Sequence, residues 1–404
     1  MGQPRIVPPS PQGDLARNEP DFSLVLGGPL YRMYLRAGLT RPPLHLVARR
    51  VVLLSMICWL PLLFLAGFSG HLISGVRNPF LRDPEVHIRL LVALPILIAS
   101  EVLVHRRIRP IVEQFQARGI ISPQERPRFE GVIASAMRLC NSVTAEVVLL
   151  IFVSTFGYWV WSQKVSLNVS SWYAVSNGEG LHWTAAGKYY SFVSLIIFRF
   201  ILFRWYFRLM IWYRFLWQVR ALPLHLNLYH PDRAGGLEFL SGSLPAFAPV
   251  FASQTAVLSA FIFAHVLYAG QKLPDFKMDI AGSLLFFSVL MVVPLGFFTV
   301  QLNQAGRTAK REFGALASRY VDDFRQKWVQ GGVRGEEPLL GTADIQSLAD
   351  LGNSYATVKD TRLLPMSKQD LFRLVGIIVL PFLPLVLTMF SVDEVIKRLF
   401  KLVF

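Results

Sequence analysis

Cysteine is scarce in this chain and charge is thin. There are only two cysteines in 404 residues. Cys58 lies within an apolar run and Cys140 beside one, at different depths, so no disulfide framework is expected. Both read as small buried apolar residues. Charged residues make up 17% of the chain, against about 25% in a soluble domain, which excludes an ordinary soluble protein of this size. The first 48 residues hold no apolar run, so no cleavable signal peptide is expected. The opening MGQPRI lacks the Ser or Thr that myristoylation wants at its sixth position. There is no internal repeat of the kind transporters often carry. A nucleophile paired with a base, a second convergent acid and a metal-ligand spacing are all missing too, so no cofactor or metal is expected and no catalytic residue is assigned.

What the sequence has is apolar length: hydrophobic residues are 53% of it. A membrane span needs about 20 mostly apolar residues, and seven runs qualify, near 51–69, 88–105, 144–162, 191–213, 247–269, 280–302 and 371–390. The seventh carries Pro381 and Pro384. The formal net charge of +15 could suggest nucleic acid, but its distribution argues against that partner. With the amino terminus inside, 27 of the 41 Lys and Arg fall on the inner side and 10 on the outer, the bias expected of loops flanking spans. The expected fold is therefore an all-α integral membrane protein with seven transmembrane helices and a cytoplasmic amino terminus. Its place is the bacterial inner membrane, and the lipid bilayer is its first partner.

Residues 1–48 read as a disordered tail followed by an interfacial helix, GGPLYRMYLRAGL, with Leu30, Tyr31, Tyr34 and Leu35 on one face. Residues 49–303 hold the first six spans and a helical arm, 106–142. In that arm Ser122-Pro123-Gln124-Glu125 reads as a capping box, with the stripe Phe129, Val132, Ile133, Ala136, Met137 and Cys140 running on into the third span. Residues 304–369 read as a cytoplasmic helical segment. Ala309, Phe313, Ala317, Tyr320, Phe324 and Trp328 form an apolar stripe on a helix projecting about 37 Å, which must meet the 106–142 arm or a second copy of the chain. A homo-oligomer is expected on that ground. A second amphipathic helix spans 342–359, Ser367 to Asp370 cap the last span, and 391–404 form an amphipathic tail. A full seventh crossing leaves Lys397, Arg398 and Lys401 outside. A re-entrant hairpin folded at the prolines would return them inside, but seven crossings is the preferred reading.

Four sets of residues could carry chemistry. In LHLNLYHPDRAGG, Leu224, Leu226 and Leu228 alternate with polar residues, so the segment should be extended with one face buried. His230, Asp232 and Arg233 then crowd a turn. They could hold a ligand or an anion, although the structural reading has Asp232 capping a short helix that starts at Arg233. Charge within the spans forms the second set, Glu101, Glu146, Arg199 and Arg204, because charge at depth tends to face a bundle interior or a path. The glutamates either tie to Arg204 or Arg208 between helices or line a route for ions. Arg208 and Arg214 are expected to snorkel to lipid phosphates. Arg199, Arg204, Arg208 and Arg214 fall near 0°, 140°, 180° and 60° at about 100° per residue, so they do not form the single stripe expected of a voltage sensor. Trp205, Tyr206, Trp212, Tyr213 and Trp217 read as an interfacial girdle. Third is Asp350, on the polar face of 344–355, read as solvated surface unless it meets Arg233. Fourth are Pro381 and Pro384, candidates for a gating hinge.

HPDRAGGLEFL together with GTADIQSLADLGNSYATVKDTRLLP resembles an uncharacterised family of bacterial multi-pass membrane proteins, across roughly residues 220–404. That resemblance implies no activity. Seven crossings with an inner amino terminus is also similar, in topology alone, to insect odorant and gustatory receptor channels. The function expected from the intramembrane charge and the kinked last span is an oligomeric channel or transporter for a small ion. The alternative is a membrane-bound sensor or scaffold that binds a cytoplasmic protein or small ligand through its helical layer. An interfacial enzyme using His230, Asp232 and Arg233 comes third.

Overall fold

The computed structural model describes residues 22–41, 44–164, 171–176, 181–330 and 343–387, with no side-chain description over 156–164. The protein is helical almost throughout. Its longer helices are α1 (Gly28–Arg36), α2 (Val47–Phe68), α3 (Pro84–Ala117), α4 (Arg126–Cys140), α5 (Val143–Lys164), α6 (Leu195–Val219), α7 (Ser243–Ala269), α8 (Lys277–Val292), α9 (Thr299–Phe324), α10 (Asp344–Lys359) and α11 (Lys368–Val379).

Among the described residues, four helices are long and apolar enough to cross a membrane: α2, α3, α7 with the turn before it, and α11 extended to Val386. Up to six qualify if each of two bent pairs is one span, and the chain is a multi-pass membrane protein on that evidence. The bent pairs hold the third and sixth expected runs. α4 and α5 meet at 44° across Asn141–Ser142, so the stripe of α4 does not continue straight into the third run. α8 ends at Val292, and a 3-10 turn at Leu295–Phe298 leads into α9 at 44°. Pro294 removes a helical hydrogen bond there, which explains why the sixth run stops short of 302. The fourth expected run lies in helical structure through α6, but Arg199, Arg204 and Arg208 in its midst keep it out of the apolar set.

α7 is the central pillar and packs along both α3 and α11. Its small residues, Ala246, Ala248, Ser253, Ala256 and Ala260, are all buried and let neighbouring backbones approach closely. α11 begins at the expected capping box: Ser367 Oγ accepts from Asp370 N–H at 3.1 Å, and Asp370 Oδ2 accepts from Ser367 N–H at 2.9 Å. Pro381 and Pro384 tighten one turn into 3-10 form and the helix resumes through Val386; the remainder of the seventh run and the tail from 388 lie outside the described residues. Ser122 behaves differently, since its side chain caps nothing and the chain takes a 3-10 turn over Pro123–Glu125 before α4.

On the opposite side from the arm, the hairpin of β1 (Ala174–Ser176) and β2 (Leu181–Trp183) brings Trp172 to complete burial, its indole N–H donating to Asp83 Oδ2 at 2.9 Å. Gly187 lets that loop sit against the helix. A Cβ there would lie 2.1 Å from the Tyr173 carbonyl oxygen.

The stripe on α9 is covered, and by neither partner expected. α10 folds back along it: Phe313 stacks on Tyr355 at 6.1 Å and 7°. At the far end Asp344 accepts from Lys327 Nζ at 2.9 Å and Trp328 Nε1 at 3.0 Å. An intramolecular hairpin thus removes the reason for expecting a second copy at this face.

Candidate functional site

Five charged side chains from four helices converge in the bundle, and all are nearly inaccessible. Arg50 of α2 is 0% exposed, Glu101 of α3 7%, Glu146 of α5 8%, Arg204 of α6 6% and Arg208 of α6 4%. Glu101 is the hub. Its Oε2 accepts from Arg50 Nη1 at 2.6 Å, and its Oε1 from Arg208 Nη2 at 3.0 Å and Arg204 Nη1 at 3.4 Å. Glu146 Oε1 accepts from Arg204 Nε at 3.0 Å. Sequence spacing explains the reach of α6. Arg204 and Arg208 are four residues apart and so share one helix face, which α3 and α5 both address.

The amino-terminal segment seals this cluster. Phe22, Leu24 and Val25 are buried, with Phe22 against Phe215 at 5.0 Å between ring centroids. α1 then begins over the glutamate: Leu30 N–H donates to Glu146 Oε2 at 2.9 Å, and Gly28 N–H to Asn141 Oδ1 at 2.9 Å. An anionic side chain at a helix amino terminus is stabilised by the unpaired N–H groups there. Gly28 has φ of 85°, and a Cβ on it would fall 2.7 Å from Glu146 Oε1. Glycine is therefore required by both conformation and space. Tyr34, also buried, lies under the Arg50 guanidinium at 5.4 Å from the ring centroid. Residues 22–25 are buried in the bundle, and α1 continues them as a strap over the cluster with Met33 and Leu35 exposed.

Among the described residues, charge in the cluster does not balance. Three arginines face two glutamates, and Arg50 Nε and Nη2 have no hydrogen-bond partner among the described residues. Unpaired buried donors cost roughly 1–3 kcal/mol each, and a buried excess charge more. The arrangement therefore has capacity for an acceptor with negative charge.

The expected residues are distributed as follows. Glu101, Glu146 and Arg204 come together, while Arg199 is half-buried and takes no ion pair among the described residues. Arg208 does not snorkel, because Glu101 holds it inside; Arg214 is exposed and donates to Ser135 Oγ at 3.0 Å. Trp205 and Trp212 are core residues, 1% and 0% exposed, so they are not part of a girdle, whereas Trp217 is exposed. Arg50 was missed. It sits in a basic run at the start of the first span, where one more arginine looks like a topology signal. Only Glu101, opposite in space, tells it apart.

The HPDR turn is a second, separate centre. Leu224, Leu226 and Leu228 do alternate inward while His225, Asn227 and Tyr229 are exposed, and Ile120 and Ile121 pair with this strand-like segment. Asp232 caps, but not a helix beginning at Arg233. Arg233 itself is left-handed with φ of 54°, and the next helical turn starts at Glu238. The Asp232 carboxylate accepts from the N–H groups of Ala234 at 2.9 Å, Gly236 at 3.1 Å and Glu238 at 3.2 Å. The anion held by this glycine turn is thus its own side chain. His230 Nδ1 lies 3.1 Å from Asp232 Oδ1. Arg233 pairs with Asp360 at 3.5 Å and Arg362 with Glu238 at 2.9 Å, and Arg362 N–H donates to the Arg233 carbonyl at 2.7 Å. The two sequence segments that carried the family resemblance dock on each other here. Asp350 is not involved and accepts from Gln346 on its own helix.

No protein-family model, curated protein or solved structure matches the chain. Function must therefore be argued from the geometry above.

Proposed function

We propose that this chain is a seven-span protein of the bacterial inner membrane, amino terminus in the cytoplasm, that transports a small ion, and that the ion is an anion. The observation that carries this reading is the closed cluster of three arginines and two glutamates, with two donors of Arg50 left unpartnered. The seventh span in this count is α6. Arg204 and Arg208 fit a bilayer because glutamates of α3 and α5 neutralise them. The burial of the whole cluster favours a transporter that opens in turn to each side over a standing pore. The strap of residues 22–36 and the 3-10 turn at Pro381 are the elements able to move against the bundle.

The test is flux through purified protein in liposomes, across a panel of anions and cations with an applied potential. Anion flux that falls at least tenfold in Arg50→Gln, with Arg199→Gln unaffected, is the expected result. Cation flux insensitive to Arg50, or silence across the panel from protein shown to be folded and inserted, would overturn the proposal. A sensor or scaffold is the second reading, favoured by one observation: on the α9–α10 hairpin Leu316, Val321, Val329 and Ile345 are 52%, 46%, 70% and 50% exposed. Deleting 304–359 would then abolish partner binding and leave flux untouched.

A further inference from the structure

α2 and α3 are joined by the short loop 69–83, whose two arms pair through His71 and Leu72 with Phe80 and Leu81. They therefore run antiparallel, and the beginning of α2 lies level with the polar second half of α3. At that level a cavity of about 380 Å³ opens between them. Its rim is lined by His45, His105, Arg106, Arg109 and one carboxylate, Glu113, with Leu44, Val102 and Pro110 as its apolar wall. The strap closes the back, where Ser23 Oγ and His105 Nδ1 are 3.0 Å apart.

The rim carries net positive charge. Arg109 pairs with Glu113 at 2.9 Å, but this pair is 45% and 52% exposed and weak. Arg106 is exposed and has no carboxylate partner among the described residues. The cavity lies one turn beyond Glu101, where the apolar part of α3 ends, so in a bilayer it stands at headgroup depth. Basic pockets between spanning helices at that depth suit phosphate headgroups. The apolar wall adds what a free anion would not use.

We propose that this cavity binds an anionic phospholipid, its phosphate held by Arg106 and Arg109 and the start of its acyl chains lying on Leu44 and Val102. This site is distinct from the buried cluster and does not depend on transport. The test is native mass spectrometry and thermal stabilisation of the full chain in detergent, titrated with phosphatidylglycerol, phosphatidylcholine or inorganic phosphate. Phosphatidylglycerol should bind more tightly than phosphatidylcholine. Each arginine should contribute roughly fivefold, so Arg106→Ala with Arg109→Ala should weaken binding roughly 25-fold. Arg128→Ala, which removes a charge elsewhere, should change it less than twofold. Val102→Trp keeps every charge but fills the cavity, and should block the lipid. Equal binding of the two lipids would refute the proposal, as would a double variant that binds like the parent or an unaffected Val102→Trp. Inorganic phosphate matching phosphatidylglycerol at equal concentration would make this a free-anion site and overturn the lipid assignment.

Discussion

Glu101 and Arg50 are in contact, yet replacing them should have very unequal effects. Glu101→Gln keeps the shape of the hub but removes its charge. Three guanidiniums then face Glu146 alone, and the buried excess rises from one positive charge to two. Removing one partner from a buried ion pair costs about 3–5 kcal/mol, and here a single carboxylate serves three partners. Arg50→Met removes one charge-assisted hydrogen bond, a loss of about 1.5–3 kcal/mol. It also removes two unpartnered donors, Nε and Nη2, whose burial costs about 1–3 kcal/mol each. Glu101 retains Arg204 and Arg208, and the remaining four groups balance. The expected net change lies between a loss of about 1 kcal/mol and a gain of a few kcal/mol. The double variant restores the parent's excess of one charge and should recover at least about 1.5 kcal/mol of the Glu101→Gln loss, a coupling of the size seen between contacting groups. Equilibrium unfolding in detergent at low salt, followed by tryptophan fluorescence, would measure all three, since Trp205 and Trp212 report on the core beside the cluster. Equal losses for the two single variants, or a double variant whose losses simply add, would refute the argument from charge balance.

Three further outcomes follow from particular contacts. Asp232→Ala strips the acceptor from three backbone N–H groups and should destabilise by about 2–4 kcal/mol, whereas Arg233→Gly should stay within about 1 kcal/mol, because glycine favours the left-handed backbone found there; thermal unfolding would compare them. Gly28→Ala should release the strap, read as increased protease cleavage near residues 22–36, while Gly67→Ala, on α2 with open space at its Cβ position, should not. Hydrogen bonds from Lys327 and Trp328 hold the Asp344 carboxyl below the usual carboxylate range. Because that group is lowered on folding, its contribution is present above the unfolded value near 4 and is lost as pH falls through it to the lower folded value. Amide exchange at the end of the α9–α10 hairpin should therefore rise over that acid window, and Asp344→Asn should remove the dependence.

Much of the bundle was legible in the sequence because its signals are local. Apolar length marked the four to six candidate spans, and Ser367 with Asp370 marked the start of α11. The alternation of Leu224, Leu226 and Leu228 marked one buried face. Signals that depend on distant partners were not legible. Arg208 looks like a lipid-facing arginine until Glu101 is beside it, and Trp212 looks like an interfacial anchor until Phe22 packs on it. Phe22 itself directly follows residues 1–20, whose Pro, Gly and polar composition suggests nothing buried. Pro294 was visible, but whether it kinks a span or ends it is decided by the packing around it. The docking of Arg233 on Asp360 joins positions more than 120 residues apart, and only the occurrence of both segments in one resemblance hinted at it.

The glutamates of the cluster precede its arginine pair along the chain, and this order matters during synthesis. An arginine at the centre of a lone spanning helix costs about 2.5–3.5 kcal/mol on insertion, so α6 with Arg204 and Arg208 is a poor candidate to enter lipid alone. By the time it emerges, α3 and α5, which carry Glu101 and Glu146, have already been made. Those two carboxylates, themselves unfavourable in lipid, await the helix that neutralises them. The strap is made first and must wait longest, for its seat on Glu146 and Phe215 does not exist until some 215 residues have been made. The strap therefore has no complete seat before the fourth hydrophobic run is made, while the central pillar α7 and the helices after it are still to come.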